Sequence, residues 1–351
     1  MQSAPPPPPP STSSSKPPSV KKNWKLSSSN NCTPFPPCNF TNLFQHNPFI
    51  NVNKPIDWNP SHIKGISILQ GSNSNNNDDG HGVFAIEMQH DNPSSTLVVI
   101  KGTSSVANEL FCSLLAREEF MLLTPQQRLI EHHPFGWHPS SKTKREWDQI
   151  REIHTVITNE TDVRKARLQR DLNRYFFLVM EFVHDGLSLG KLLSYSYSND
   201  DLLLHSNIVE ELGTMVIFDL LVNNCDRLPL KGIFEHQEGN LGNVLCQVVA
   251  SGENNTIRFK RLILIDQAVS VIVNDAQLLS YIAKVKSFAH NIRFSNYAET
   301  STLFQEQIDA IVEFVLVHTI VAVQAPEEKK AISLQIRNKI LSGLKKGLDI
   351  V

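Results

Sequence analysis

The hydrophobic period of this chain changes between its first and second halves, and this change limits the folds that it can adopt. Three short runs, GISILQG, VFAIEMQ and TLVVIKG, are β-rich and separated by turn residues. Such runs predict three antiparallel strands connected in sequence order. Later segments carry apolar residues three or four positions apart, which predicts helices at Ile208–Val222, Leu278–Phe288, Leu303–Val323 and Glu327–Leu344.

The residues between these two parts predict one more helix and several more strands. The spacing of Val106, Leu110 and Leu114 is helical, and Ser105 is a candidate N-cap. Residues 123–175 alternate charge-rich helical stretches with a His/Pro loop, and YFFLVMEFV then returns to an apolar strand. Two further short strands, NVLCQVVA and RLILIDQAV, are predicted among the later helices.

These patterns predict an α+β fold with a β-rich first lobe at residues 56–186, which carries a helical insert, and a mainly helical second lobe at residues 187–351. A cleft is expected between them. Residues 1–55 are rich in Pro, Ser and Asn, a composition typical of a disordered tail. The run Pro5–Pro10 favours polyproline II and is a candidate ligand for a proline-recognition domain, although a solvated spacer is the simpler interpretation.

The charge of the chain favours neither nucleic acid nor an anionic membrane as a partner. The 33 Lys and Arg residues are balanced by 35 Asp and Glu residues, giving a net charge of −2. The longest apolar stretch, Ala310–Ala325, is interrupted by Glu313 and His318 and is shorter than the ~20 apolar residues of a membrane span. Five cysteines without paired C-x-x-C spacing indicate a reducing compartment, so we expect a cytoplasmic protein.

Lys101, at the end of TLVVIKG, matches the V-A-I-K pattern in which a strand lysine reaches the phosphates of a bound nucleotide. A lysine at a strand end is more often a solvated terminus, so the match is weak by itself. Glu109 lies on the helix that follows, where its carboxylate could hold the ammonium group in place. Glu118 and Glu119 on the same helix are credible rivals of Glu109 for this role.

Two further segments are candidates for binding the nucleotide. The insert between the first two strands ends in Gly80-His81-Gly82, where the backbone could approach phosphates closely, although an ordinary Asn-rich hairpin explains it as well. The backbone between Glu181 and Val183, at the end of YFFLVMEFV, could pair with the edge of an adenine ring. A plain buried strand is an equally good interpretation of that run.

The stretch from Phe218 to Leu245 carries the most specific signal. It places Asp226 after a helix and Asn243 at the start of a strand, and LILID then places Asp266 at the end of the next strand. This order is typical of phosphoryl transfer, in which the first aspartate orients the acceptor hydroxyl while the asparagine and the second aspartate hold magnesium. Taken with Lys101 and Glu109, the series predicts an ATP-dependent kinase with Mg²⁺.

The motifs NNCDRLP, GNLGNVL and LIDQA resemble the atypical branch of the kinase superfamily, and in particular the catalytic domain of the actin-fragmin kinases, over roughly residues 60–350. The resemblance implies a protein-kinase-like fold and ATP-dependent phosphorylation of a threonine in actin or an actin complex. It implies a phosphate role for Lys101, a catalytic role for Asp226, and metal roles for Asn243 and Asp266.

The chain also departs from ordinary protein kinases. It has no H-R-D motif, the interval between Asp226 and Asn243 is long, and Gln-Ala follows Asp266 where Phe-Gly is usual. A short segment after Asp266 makes an activation-loop phosphorylation site unexpected. Two alternatives stay open from the sequence: a pseudokinase that only binds partners, and a lipid kinase of the phosphatidylinositol type.

Overall fold

The computed structural model describes residues 50–70, 83–89, 95–102, 105–131, 141–153, 169–170, 172, 174–184, 186–190, 207–234, 239–251, 256–267, 269–294, 302–319 and 326–351. The proline run Pro5–Pro10, most of the predicted tail, and Gly80 and Gly82 of the candidate phosphate loop lie outside the described residues.

An antiparallel sheet of five strands forms the first lobe. Its strands follow the spatial order β1-β2-β3-β5-β4, and every neighbouring pair runs antiparallel. The three-strand meander predicted from the sequence is confirmed as β1 to β3. The strands are β1 (Ile63–Gln70), β2 (Val83–Gln89), β3 (Ser95–Lys101), β4 (Gln127–Glu131) and β5 (Phe176–Glu181).

Strand β4 corrects the sequence prediction, which assigned residues 123–175 to helix and loop. Its sequence, QRLIE, has one buried residue, Ile130, and no alternating apolar pattern. The strand exists because its backbone pairs with β5 along its whole length, from Gln127 opposite Met180 to Glu131 opposite Phe176. Long-range pairing of this kind leaves no signal in a local window.

Two helices pack near this sheet. Helix α1 spans Val106–Glu118, and Ser105 occupies its N-cap position as predicted. Helix α2 spans Ser141–Glu152. Apolar side chains from the sheet, from α2 and from the segment before β1 form a common core, whose large members include Trp58, Phe84, Trp147, Ile150 and Phe177.

The second lobe is mainly helical, as the spacing of its apolar residues predicted. A smaller sheet with the order β6-β7-β8 lies beside its first helix. The elements are β6 (Gly186–Ser188), α3 (Ile208–Val222), β7 (Val244–Ser251), β8 (Thr256–Leu264), α4 (Asp275–Phe294), α5 (Thr302–Thr319) and α6 (Pro326–Ile350). Helix α3 begins and ends at the residues expected from the sequence. Helices α4 and α6 extend further than predicted at both ends, whereas α5 begins one residue earlier than predicted and its predicted end, Val323, lies outside the described residues.

Helices α3 and α6 cross in direct backbone contact. A Cβ atom added at Gly343 would overlap the carbonyl oxygen of Glu210, and one added at Gly347 would lie 2.9 Å from Ile217. The hydroxyl of Thr214 donates a hydrogen bond of 3.1 Å to the carbonyl of Gly343. Glycine is therefore required at this crossing because only its small size allows the two helices to approach so closely.

The fold is α+β and has the two-lobed organisation of protein kinases. Helices of the described residues are all too short or too polar to span a membrane.

Candidate active site

Lys101 ends β3 and is held by two carboxylates. Its Nζ atom lies 2.8 Å from Oε2 of Glu109 and 2.6 Å from Oδ1 of Asp266, and the side chains of Lys101 and Glu109 are each less than 10% exposed. Burial alone would lower the pKa of Lys101, but the two adjacent negative charges outweigh burial and raise that pKa above its ordinary value. Lys101 therefore carries a fixed positive charge in the cleft.

The structure identifies Glu109 as the partner of Lys101 among the three glutamates that the sequence left open. Glu109 lies on the buried face of α1 with Val106 and Ala116. Glu118 instead forms an exposed ion pair with Arg117, at 2.9 Å. Glu119 is an exposed residue at the C-cap of the helix. Neither rival contacts the lysine.

Asp226 lies in the loop that follows α3 and contacts Asn243 directly. The helix ends because Asn223 adopts a left-handed conformation, with φ of 53°. The side chain of Asn224 then accepts a hydrogen bond of 3.2 Å from the backbone N–H of Asp226. The amide Nδ2 of Asn243 donates to Oδ2 of Asp226 at 2.7 Å. Two residues separated by a long interval in the sequence thus form one polar cluster.

The GN-x-GN motif, residues 239–243, explains how the chain comes back to Asp226 after the long interval. The backbone N–H of Asn240 donates to the carbonyl of Arg227 at 3.0 Å, which closes the loop. The side-chain oxygen of Asn240 accepts from the N–H of Gly242 at 2.9 Å, and a single turn of 3₁₀ helix, Leu241–Asn243, leads into β7. Gly239 has a φ of 68° and lies against Phe314, where a side chain would not fit.

The pKa of Asp226 is raised above its ordinary value. Partial burial contributes most, the negative charge of Asp266 adds to it, and the hydrogen bond from Asn243 opposes both. A raised pKa makes the carboxylate a better proton acceptor, which suits a group that receives a proton from a hydroxyl.

Asp266 lies two residues beyond the end of β8, in a strained conformation. Its φ is 53°, in the left-handed region that L residues other than glycine rarely adopt. The preceding N–H, from Ile265, donates to the carbonyl of Asn243 at 3.1 Å, so the two predicted metal ligands lie on adjoining backbone segments.

Arg227 is a functional candidate to which the sequence analysis gave no role. Its side chain is completely buried and forms an ion pair with Asp219 of α3. Its Nη2 atom donates to the carbonyl of Ile265 at 3.0 Å and to Oε1 of Gln267 at 2.7 Å. The D-R pair was visible in the sequence, but a charged loop residue is by default expected to be solvated.

A cavity of about 340 Å³, within the range of small-molecule sites, lies beside these groups, although neither Asp226 nor Arg227 is among its lining residues. Its polar lining includes Lys101, Glu109, Glu181, Asn243 and Asp266. The apolar lining includes Leu69, Val83, Val99, Met180, Val183, Leu245 and Leu264. A cavity with one apolar and one charged side is suited to a ligand that carries a flat ring and phosphates.

The predicted adenine edge is only partly free. The N–H of Glu181 donates to the carbonyl of Gln126 at 2.8 Å, and the carboxylate of Glu181 accepts from the N–H of Gln126 at 3.3 Å. The carbonyl of Val183 accepts from the N–H of Gly186 at 3.4 Å. Within the part of the chain that the structure describes, the N–H of Val183 makes no hydrogen bond, so it is the better candidate to bind a purine.

The residues present fit magnesium held together with a nucleotide. Among the described residues no three His, Cys, Asp or Glu side chains cluster as a complete metal site. Magnesium, however, is usually held by one or two protein oxygens together with phosphates and water. The carboxylate of Asp266 and the amide oxygen of Asn243 supply this donor set, because the amide nitrogen of Asn243 is already bonded to Asp226.

Comparison with known proteins agrees with this geometry. The family described as "Actin-fragmin kinase, catalytic" matches residues 37–342. A Dictyostelium discoideum protein named "Putative actin-fragmin kinase" is 24% identical over 197 residues, which cover 55% of this chain and 42% of that protein. The chain thus spans less than half the length of this relative. No solved structure gives a significant match. The chain belongs to the actin-fragmin kinase catalytic family.

Proposed function

We propose that the chain is an ATP-dependent serine/threonine protein kinase that phosphorylates a threonine of actin or of an actin complex. The observation that carries the proposal is the meeting of Lys101, Asn243 and Asp266 around one cavity, with Asp226 bonded to Asn243. The family name and the name of the Dictyostelium relative supply actin as the candidate substrate.

The proposed mechanism assigns one task to each group. Lys101 binds the phosphates of ATP through its ammonium group, and Glu109 keeps that ammonium in position. Asp226 orients the acceptor hydroxyl and takes its proton while the hydroxyl oxygen bonds to the γ-phosphorus and the bond from that phosphorus to the β–γ bridging oxygen breaks. Magnesium, when bound by Asp266 and Asn243, would neutralise charge on the phosphates.

The region after Asp266 favours a folded acceptor over an extended peptide. Residues 267–274 are all that separates Asp266 from α4. This segment is also tied to the end of α3, because the N–H of Ser270 donates to the carbonyl of Asn223 at 3.2 Å and the amide of Asn223 donates back to the carbonyl of Ser270 at 2.6 Å. A short, fixed segment offers little edge for an extended chain.

A groove beside Asp226 offers a docking position for such an acceptor. It has a volume of about 440 Å³ and lies between α4 and the loop after α3 that carries Asp226, here called the catalytic loop. Cys225 forms part of its wall next to Asp226, and Phe234, Ile272 and Tyr281 contribute apolar surface. Binding a folded surface there would place its hydroxyl near Asp226 without help from an extended peptide.

The test measures transfer from labelled ATP to intact actin, to a peptide around the acceptor threonine, and to phosphatidylinositol vesicles. We expect label on a threonine of intact actin, with kcat/KM far above that for the peptide. Lys101→Met should lower turnover at least about a hundredfold. The matched control is Lys64→Met, which removes an exposed lysine of β1 that pairs with Glu87 of β2 and should leave turnover unchanged. Preference for vesicles would favour a lipid kinase, and the absence of transfer to any acceptor would refute the proposal.

A further inference from the structure

We infer that Arg227 is a positioning residue, which holds the metal-binding carboxylate of Asp266 in a fixed relation to Asp226 and Asn243. This inference rests on the proposed kinase function. Arg227 does not line the cavity in which ATP would bind. Its guanidinium would act instead through the residues on either side of Asp266, which it contacts.

The first observation is the burial of a charged group. Arg227 is 0% exposed, and a guanidinium removed from water is tolerated only with compensating partners. Asp219 of α3 supplies one partner at Nη1. The other terminal nitrogen, Nη2, makes its contacts with the segment around Asp266, which are Ile265, Gln267 and, at the longer distance of 3.5 Å, the carbonyl of Asp266 itself.

The second observation is the conformation that these contacts hold. Asp266 has a left-handed backbone, which costs a residue with a side chain energy unless its surroundings impose it. Arg227 binds the carbonyl immediately before this residue and the side chain immediately after it. The side chain of Gln267 is itself fixed, because its amide nitrogen donates to the carbonyl of Leu264 at 3.2 Å.

The third observation is that Arg227 touches all three segments that carry Asp226, Asn243 and Asp266. Arg227 follows Asp226 directly in the chain, so the two residues share a peptide bond. Its carbonyl accepts from the N–H of Asn240, in the loop that delivers Asn243. Its guanidinium holds the segment of Asp266. A purely structural ion pair with α3 would need only Nη1 of Arg227. The contacts of Nη2 with Ile265 and Gln267 additionally connect the proposed metal-binding segment, residues 265–267, to the catalytic loop.

A compensated double variant separates positioning from folding. Arg227→Met alone would leave Asp219 buried without its partner and is expected to destabilise the fold. Asp219→Leu combined with Arg227→Met removes both charges and should restore a melting temperature near that of the parent chain. If the ion pair were only structural, this double variant would also recover normal Mg²⁺ dependence.

Two readouts are measured: the binding of a fluorescent ATP analogue as Mg²⁺ is titrated, and kcat for transfer to actin. For the double variant we expect the Mg²⁺ concentration at half-saturation to rise and kcat to fall by about 10- to 100-fold, the usual effect of removing a residue that supports a metal ligand. Binding of the analogue without Mg²⁺ should stay within about twofold of the parent chain.

Gln267→Leu provides a second test if the double variant fails to fold. It removes one of the acceptors that Nη2 of Arg227 contacts around Asp266, and it leaves the carbonyl of Ile265 and the pair between Arg227 and Asp219 intact, so a rise of about tenfold in the Mg²⁺ requirement is expected. Unchanged Mg²⁺ dependence in either folded variant would overturn the inference. Failure of the parent chain to bind the analogue or to transfer phosphate would instead refute the proposed function, so the two failures are distinguishable.

Discussion

Replacing Glu109 by Gln tests whether the cleft functions as the geometry indicates. The substitution preserves size and removes only the charge that faces Lys101 at 2.8 Å. Breaking a buried ion pair by removing one partner usually costs about 3–5 kcal/mol. Here Lys101 keeps Asp266 at 2.6 Å, and the Gln amide oxygen can still accept a hydrogen bond, so we expect a loss of about 1–2 kcal/mol in the free energy of unfolding.

The expected effect on activity is larger than the effect on stability. Without Glu109, Asp266 is the one carboxylate beside Lys101 among the residues that the structure describes, and the proposed mechanism needs it for magnesium. The lysine would therefore compete with the metal, and we expect kcat/KM for ATP to fall about a hundredfold, which corresponds to about 2.7 kcal/mol of transition-state stabilisation.

Urea denaturation and steady-state kinetics measure the two effects, and the same helix provides the controls. Glu118→Gln and Glu119→Gln change exposed residues of the same type and should alter the free energy of unfolding by less than about 0.5 kcal/mol, with normal activity. The reasoning is refuted if Glu109→Gln keeps kcat/KM within about threefold of the parent chain, or if a control loses as much activity as it does.

Three further predictions concern the metal, the proton acceptor and the helix crossing. Asp266→Asn should lower kcat at least about a thousandfold with little change in melting temperature, and near-normal activity would exclude a metal role. On acidification, kcat/KM, which reports the free enzyme, should fall with a midpoint above the ordinary aspartate pKa of about 3.9, because burial and the charge of Asp266 both favour protonated Asp226; a lower midpoint would contradict this. Gly343→Val should lower the free energy of unfolding by about 3 kcal/mol because of its overlap with Glu210, whereas Lys345→Val, on the exposed side of α6, should lower it by no more than about 1 kcal/mol.

The parts of the fold that the sequence predicted are those whose stability is local in origin. Strands β1 to β3 alternate or run apolar between turn residues, so period and composition agree. Helix α3 is buried over most of its length and is bounded by polar residues at both ends, which is why both of its limits could be read. Asp226 and Asp266 could be named as candidates from the sequence because each follows an element with a clear hydrophobic pattern.

The sequence could not exclude Glu118 and Glu119 as rivals of Glu109, and the reason is physical. The leucines gave α1 its helical signal, but Leu114 is 41% exposed and the buried face carries Glu109, Cys112 and Ala116 instead. These three residues recur at three- and four-residue spacing, so they share one face of the helix, and this spacing could have indicated that Glu109 is buried. The hydrophobic pattern did not indicate this face because it contains a carboxylate. Its burial is understood only once Lys101 is known to lie opposite Glu109.

The positions of the candidate catalytic residues also depend on packing far from the cavity. Asp219 lies in the last turn of α3, and its carboxylate anchors Arg227. The position of α3 is set in turn by α6, since the backbone of α3 lies directly on Gly343. A side chain at that glycine would shift α3 and carry Asp219 and Arg227 with it, and so would move the segment of Asp266. No described residue of α6 lines the cavity, yet the geometry required for phosphoryl transfer depends on the close approach that the glycines of this last helix allow.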